Sequence, residues 1–106
     1  MTEAEFLERA EATLERIEAA LEESGLDADV ERKEGGIIEI ELADGTRMVI
    51  NRHAAAREIW VAARSGGFHF RWEDGAWRDT RDGGELFAAL SRLLSALNGG
   101  PVNLQA

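Results

Sequence analysis

"IIEIELADGTRMVI", Ile37 to Ile50, alternates apolar and polar residues on both sides of a short break. Ile38, Ile40 and Leu42 alternate with Glu39 and Glu41, and Met48 and Ile50 resume the pattern after it. A period of two marks strands with one buried face. Ala43, Asp44 and Gly45 suit a three-residue hairpin loop with Gly45 in the left-handed region. Such a loop pairs Leu42 with Thr46, Ile40 with Met48 and Ile38 with Ile50. Every large apolar residue then falls on one face, whereas a slip by one residue would send one strand's apolar set to the other side. The stretch therefore predicts an antiparallel sheet covered on one face only.

The same period extends outward. Leu26, Ala28 and Val30 alternate with Asp27, Asp29 and Glu31 ahead of a Gly35–Gly36 turn. Downstream, "EIWVA" (58–62) sends Ile59 and Val61 one way and Trp60 the other, and "FHFRW" (68–72) opposes Phe68, Phe70 and Trp72 to His69 and Arg71. "EDG" (73–75) turns the chain into a short sixth strand around Trp77.

Two helices flank these strands. "TEAE" (2–5) has the form of a capping box, and Phe6, Ala10, Leu14, Ile17 and Leu21 form an apolar stripe that ends before Gly25. The second helix follows "TRDGG", with Leu86, Phe87, Leu90, Leu93, Leu94 and Leu97 on one face, and "NGGP" (98–101) stops it. One stripe per helix and one covered sheet face predict an α+β two-layer sandwich: both helices on one face of an antiparallel sheet of about six strands, in the order α-β-β-β-β-β-β-α. Residues 1–98 form the expected single domain, and 99–106 an expected frayed tail.

A chain of 106 residues reads as one domain, long enough to bury roughly two-thirds of its unfolded surface without a metal or disulfide staple. It has no Cys, which rules out disulfides, thiolate metal sites and thiol nucleophiles. No apolar run of membrane-spanning length occurs and the N-terminus is acidic, so secretory, transit and transmembrane readings fail, and the cytoplasm is the expected compartment.

The net charge of −9 is uneven. Residues 1–34 hold 12 acids and 4 bases, a net of −8; the remaining 72 hold 9 acids and 8 bases, a net of −1. Such a surface repels nucleic acid and anionic membranes and attracts cations or a basic protein. Glu8, Glu11, Glu15, Glu18 and Glu22 recur at spacings of three and four along the wet side of the first helix, with no base at those spacings to offset them. Four like-charge neighbours cost roughly 1–2 kcal/mol. Glu22 and Glu23 also meet the negative end of the helix dipole. If helix and first strand are neighbours, Asp27, Asp29 and Glu31 continue the stripe as one acidic ridge. Solvation of an exposed helix is the plain explanation of such a run. The missing bases favour two others: a weak, exposed site for hard, oxygen-seeking cations, or a surface for a basic partner. "DADVER" from Asp27 opens like a calcium loop but has Arg32 where glycine is needed and Ile38 where glutamate is needed.

The open sheet face is the second candidate. Trp60 is expected to point outward there, near Arg47, Asn51, His69 and Arg71, and Trp with Arg is the composition of a binding hot spot. His53 and His69 share no metal-ligand spacing and read as surface histidines. No phosphate-binding glycine loop and no Ser–His–acid arrangement occurs, so an enclosed catalytic site is not expected.

"DGTRMVINRHAAAREIWVAARSGGFHF" (44–70) and "WRDTRDGGELFAALSRLL" (77–94), with the acidic first helix and strand, resemble the frataxin family in its bacterial branch, over about residues 3–97. The resemblance implies a regulator of iron–sulfur cluster assembly that is not an enzyme, any ferroxidase activity being weak and secondary. It implies weak binding of ferrous and ferric iron at exposed sites, and contacts with a cysteine desulfurase and its scaffold protein. Carried over by position, the iron ligands are Glu15, Glu18, Glu22, Glu23, Asp27, Asp29 and Glu31, and the partner-facing residues are Asn51, Arg52 and Trp60. It further implies a monomer, open to iron-dependent self-association. The departures are Ala19 and Ala20, which interrupt the acids, and Arg32 and Lys33, which follow them and lower the ridge charge. The alternative is an acidic docking module that modulates the desulfurase without physiological metal.

Overall fold

A computed structural model describes residues 1–106. Helix α1 (Glu3–Ser24) leads into strands β1 (Ala28–Lys33), β2 (Ile37–Leu42), β3 (Arg47–His53), β4 (Glu58–Ala63), β5 (Gly66–Glu73) and β6 (Ala76–Asp79), and helix α2 (Leu86–Asn98) follows. The strands form one antiparallel meander in chain order, with β1 and β6 at its borders. This is the expected α+β sandwich, and the hairpin has the register that its alternation dictates. Ile40 faces Met48 and Ile38 faces Ile50, while Leu42 N donates to Thr46 O at 2.8 Å across a turn with Gly45 at φ 87°.

Local signals set the helix ends. Thr2 N donates to Glu5 Oε1 at 2.8 Å, and Glu5 N donates to Thr2 Oγ1 at 3.1 Å, closing the capping box on α1. Gly25, at φ 75°, ends it. Phe6, Leu14 and Ile17 of α1 and Leu86, Leu90 and Leu94 of α2 are buried against Ile38, Ile40, Met48, Ile50, Ile59 and Phe70 of the sheet. Trp77 ties α1 to the β6 border: its indole lies edge-on to Phe6 at 5.9 Å, and its Nε1 donates to buried Thr13 Oγ1 at 2.8 Å. Thr13 in turn donates to Arg9 O at 2.9 Å, so this buried hydroxyl is satisfied in both roles.

The segment expected to fray does not. Val102 and Leu104 are buried, 9% and 4% exposed. Val102 N donates to Ser95 Oγ and Leu104 N to Ser91 Oγ, both at 2.8 Å. Two serines four residues apart on α2 thus receive the amides of alternate tail residues, whose side chains enter the core. Replacing Val102 by alanine is expected to cost about 1.5 kcal/mol of stability, two methylene equivalents, in urea unfolding. A frayed end would show no change.

Candidate functional site

The last two turns of α1 and strand β1 are neighbours. Glu18, Leu21 and Glu22 line a shallow depression together with Leu26, Ala28 and Val30. The acids of the two elements nevertheless take different sides. Ala28, Val30 and Arg32 lie opposite Leu42, Ile40 and Ile38, so they project beneath the helix. Asp29 and Glu31 lie opposite Glu41 and Glu39, so they project onto the open face. The expected continuous ridge is therefore divided by the β1 border. No three carboxylates or histidines converge closely enough to enclose a metal ion.

The helix stripe is also not without internal bases. Arg32 Nη1 donates to Glu18 Oε1 at 2.7 Å, and its Nη2 pairs with Glu11 Oε1. Arg52 Nη1 reaches the other Glu11 oxygen at 3.4 Å. These partners lie 14, 21 and 41 residues apart in sequence, so a search at helical spacings misses them. Burial works against the charge on Arg32, but the bonds to Glu18 and Glu11 outweigh it and hold the guanidinium more firmly ionised than usual. Glu15, Glu22, Glu23 and Asp27 remain exposed and make no ion pair, as do Asp29 and Glu31. On the open face the strand acids stand directly opposite other acids, moderated by Lys33 to Glu39 at 3.1 Å and Arg47 to Glu41 at 3.7 Å. Opposed like charges of this kind are each unfavourable by roughly 0.2–1 kcal/mol.

On the open face Asn51, Trp60 and His69 stand in one row across β3, β4 and β5, and His53, Glu58 and Arg71 in the next. Trp60 points outward as expected, but its indole is stacked on both sides. The His53 ring lies 3.8 Å from it at 15°, and the His69 ring 4.4 Å at 10°. The histidines expected to be ordinary surface residues thus hold the tryptophan in place. His53 is oriented in turn by Ala56 N, which donates to its Nδ1 at 3.3 Å.

Below them Glu58 is only 6% exposed. Its Oε1 accepts from Trp60 Nε1 at 2.8 Å and its Oε2 from Arg71 Nη2 at 2.6 Å, with His69 Nδ1 3.6 Å from Oε1. Burial pushes this carboxyl up, but the bonds from Trp60 and Arg71 and the Arg71 charge together hold it below the ordinary value. The two rows together thus present an indole edge, an amide and two imidazoles above a buried carboxylate.

Arg52 does not belong to this face. It lies opposite Ile59 and shares a side with Ile50, against the helix layer, where it pairs with Glu11. Its parity with Met48 and Ile50 carried that signal. Its stem packs so closely on Gly36 that a Cβ there would lie 2.4 Å from it.

Comparison with known proteins gives a consistent picture. A model of the frataxin-like domain matches residues 1–100. The iron-sulfur cluster assembly protein CyaY of Dechloromonas aromatica is 51% identical over 105 residues, covering 99% of this chain and 100% of the relative. The protein of the same name from Janthinobacterium sp. (strain Marseille) is 52% identical over 110 residues, covering 99% and 97%. Among solved structures, frataxin from Psychromonas ingrahamii superposes with a TM-score of 0.90 at 28% identity over 100% of both chains. Trimeric yeast frataxin complexed with ferrous iron superposes with a TM-score of 0.72 at 26% identity, over 85% of each.

Proposed function

The chain belongs to the frataxin-like family, and on that premise we propose that it is an iron-binding adaptor that regulates iron–sulfur cluster assembly. It acts in the cytoplasm, on a cysteine desulfurase and its scaffold protein, and not as a catalyst in its own right. No helix is long and apolar enough to cross a membrane. The observation that carries the reading is the exposed, unpaired set Glu15, Glu22, Glu23 and Asp27 at the α1–β1 border, with Asp29 and Glu31 unpaired on the open face beyond it. Iron is cargo here. Bare carboxylates that take water as their remaining partners bind hard cations weakly and release them readily. Any ferroxidation follows from the preference of such oxygens for the ferric ion and is secondary.

Mutual repulsion makes the empty border unfavourable, and a bound cation relieves it. Linkage then requires the cation to stabilise the folded chain, by about 2.7 kcal/mol at a hundredfold excess over Kd. The melting temperature is expected to climb with added ferrous ion under anaerobic conditions, and with cobalt(II). An unchanged melting temperature at millimolar metal would remove the iron reading. The chain acts as a monomer, and neutralising the border lowers the repulsion that keeps copies apart.

On the sheet face, Asn51 and the exposed edge of Trp60 contact the scaffold–desulfurase pair, with His53 and His69 holding the indole. The second reading, a docking module without physiological metal, is favoured by the lack of three convergent ligands and by the capture of Glu18 by Arg32. Replacing Glu22, Asp27 and Asp29 by their amides separates the two. The iron reading expects both metal uptake and desulfurase binding to weaken. The docking reading expects weaker desulfurase binding and no metal uptake even by the unaltered protein.

A further inference from the structure

We propose that the open sheet face around Trp60 takes a carboxylate-rich segment of the partner protein, gripped by Arg71 and Arg78. This rests on the reading above that the face meets the scaffold–desulfurase pair, and it names the chemistry met there.

Both faces of the Trp60 indole are already covered, by His53 at 3.8 Å and His69 at 4.4 Å, and its N–H is taken by Glu58 at 2.8 Å. A partner can therefore neither stack an aromatic ring on it nor lay a cation over it, and only the rim of the indole is left. The rim of an aromatic ring is its electropositive part. Its surroundings are donors as well. Ala56 N donates to His53 Nδ1, so the neutral imidazole carries its proton on Nε2. Asn51 stands beside Trp60 in the same row. In the next row Arg71 on β5 directly faces Arg78 on β6, two guanidiniums with the single carboxylate of Glu58 beside them. Glu58 takes one terminal nitrogen of Arg71, which is 57% exposed and keeps its other donors. Arg78 is half-buried and has no ion pair. Opposed like charges are unfavourable, and a carboxylate laid between them relieves that repulsion while accepting from both forks. The rest of the face bars the same segment: Asp29, Glu31, Glu39 and Glu41 outnumber Lys33 and Arg47 on β1 to β3. An acidic segment is thereby steered to the half of the face between Trp60 and β6.

The test is the affinity of the full chain for the assembled scaffold–desulfurase pair, with Trp60→Ala as the measure of the sheet-face reading itself. Arg78→Gln is expected to bind roughly fivefold more weakly than the unaltered chain, and Arg78→Glu roughly twentyfold. Arg78→Met keeps the half-buried stem and should lose as much as Arg78→Gln; it serves if that variant folds poorly. The difference between Arg78→Gln and the unaltered chain should vanish near about 1 M salt, where the screening length is roughly 3 Å. Arg16→Glu makes the same change of charge at an exposed, unpaired helix position and should stay within about twofold. Equal losses from Arg16→Glu and Arg78→Glu would reduce the effect to net charge and overturn the proposal. So would tighter binding by Arg78→Glu, a loss from Arg78→Gln that salt leaves unchanged, or a loss from Arg78→Glu with none from Trp60→Ala. If Trp60→Ala weakens binding and Arg78→Glu does not, this inference falls and the sheet-face reading stands. If neither weakens it, both fall.

Discussion

Replacing Trp77 by alanine is expected to lower the free energy of unfolding by about 4 kcal/mol. The indole is 3% exposed, stands edge-on to Phe6 and to Trp72 at 5.9 and 5.4 Å, and gives its N–H to Thr13. Alanine would leave a cavity between α1 and β6 and remove two aromatic pairs worth roughly 0.5–1.5 kcal/mol each. Thr13 would keep its bond to Arg9 O, so its oxygen loses a donor without losing every partner. Phenylalanine at 77 restores most of the apolar contact and should cost about 1–2 kcal/mol, chiefly the lost N–H donor. Urea unfolding at neutral pH measures both. Total stabilities of such domains run to about 5–15 kcal/mol, so the alanine variant should sit near the edge of folding at physiological temperature. A cost below about 1 kcal/mol would mean that α1 is anchored elsewhere.

The second large effect is expected at Glu58. Alanine there should cost about 2–3 kcal/mol, because it strips the half-buried Trp60 N–H of its acceptor and Arg71 of its counter-charge. Arg71 is 57% exposed and water recovers part of its charge, which keeps the loss below that of a fully enclosed pair. The effect should depend on pH in a defined direction. The folded carboxyl titrates below its ordinary value of 4.5, so its contribution is complete above that pH and is lost as pH falls through the lowered folded value. The gap between Glu58→Ala and the unaltered chain should therefore narrow as the pH falls below about 4.5. A gap unchanged down to pH 3 would show that ionisation of Glu58 does not matter. Loss of the His–Trp–His stack should accompany the substitution, seen as a changed near-ultraviolet signal from Trp60.

How far residues announced this architecture depends on the range of the interactions. Alternation is local, so the hairpin around Gly45, the outward turn of Trp60 and the buried stripe of α1 were all legible. Gly99, Gly100 and Pro101 are loud stop signals that predict a frayed tail, whereas Ser91, Ser95, Val102 and Leu104 are individually quiet. They become a dock only when α2 lies beside the returning chain. The acidic border was half legible. Composition revealed the charge, but Arg32 and Arg52 reach it through strand pairing, and no spacing along the helix could reveal them. Resemblance by position puts Arg52 on the open face, whereas its parity with Ile50 puts it under the helices, where it lies. The stack around Trp60 needed the β3–β4–β5 register before His53 and His69 could be seen to flank it.

Strand β1 closes the meander with nothing beyond it, and Val30 there is 40% exposed. A bare strand border invites another chain to extend the sheet. Asp29, Glu31, Arg32 and Lys33 line this one with formal charges at consecutive or alternate positions. The carboxylates read above as a landing place for cations thus also act as a fence against unwanted polymerisation. On the proposed reading, a ligand that cancelled them would remove the fence in the same act, so loading and stickiness would be two faces of a single property.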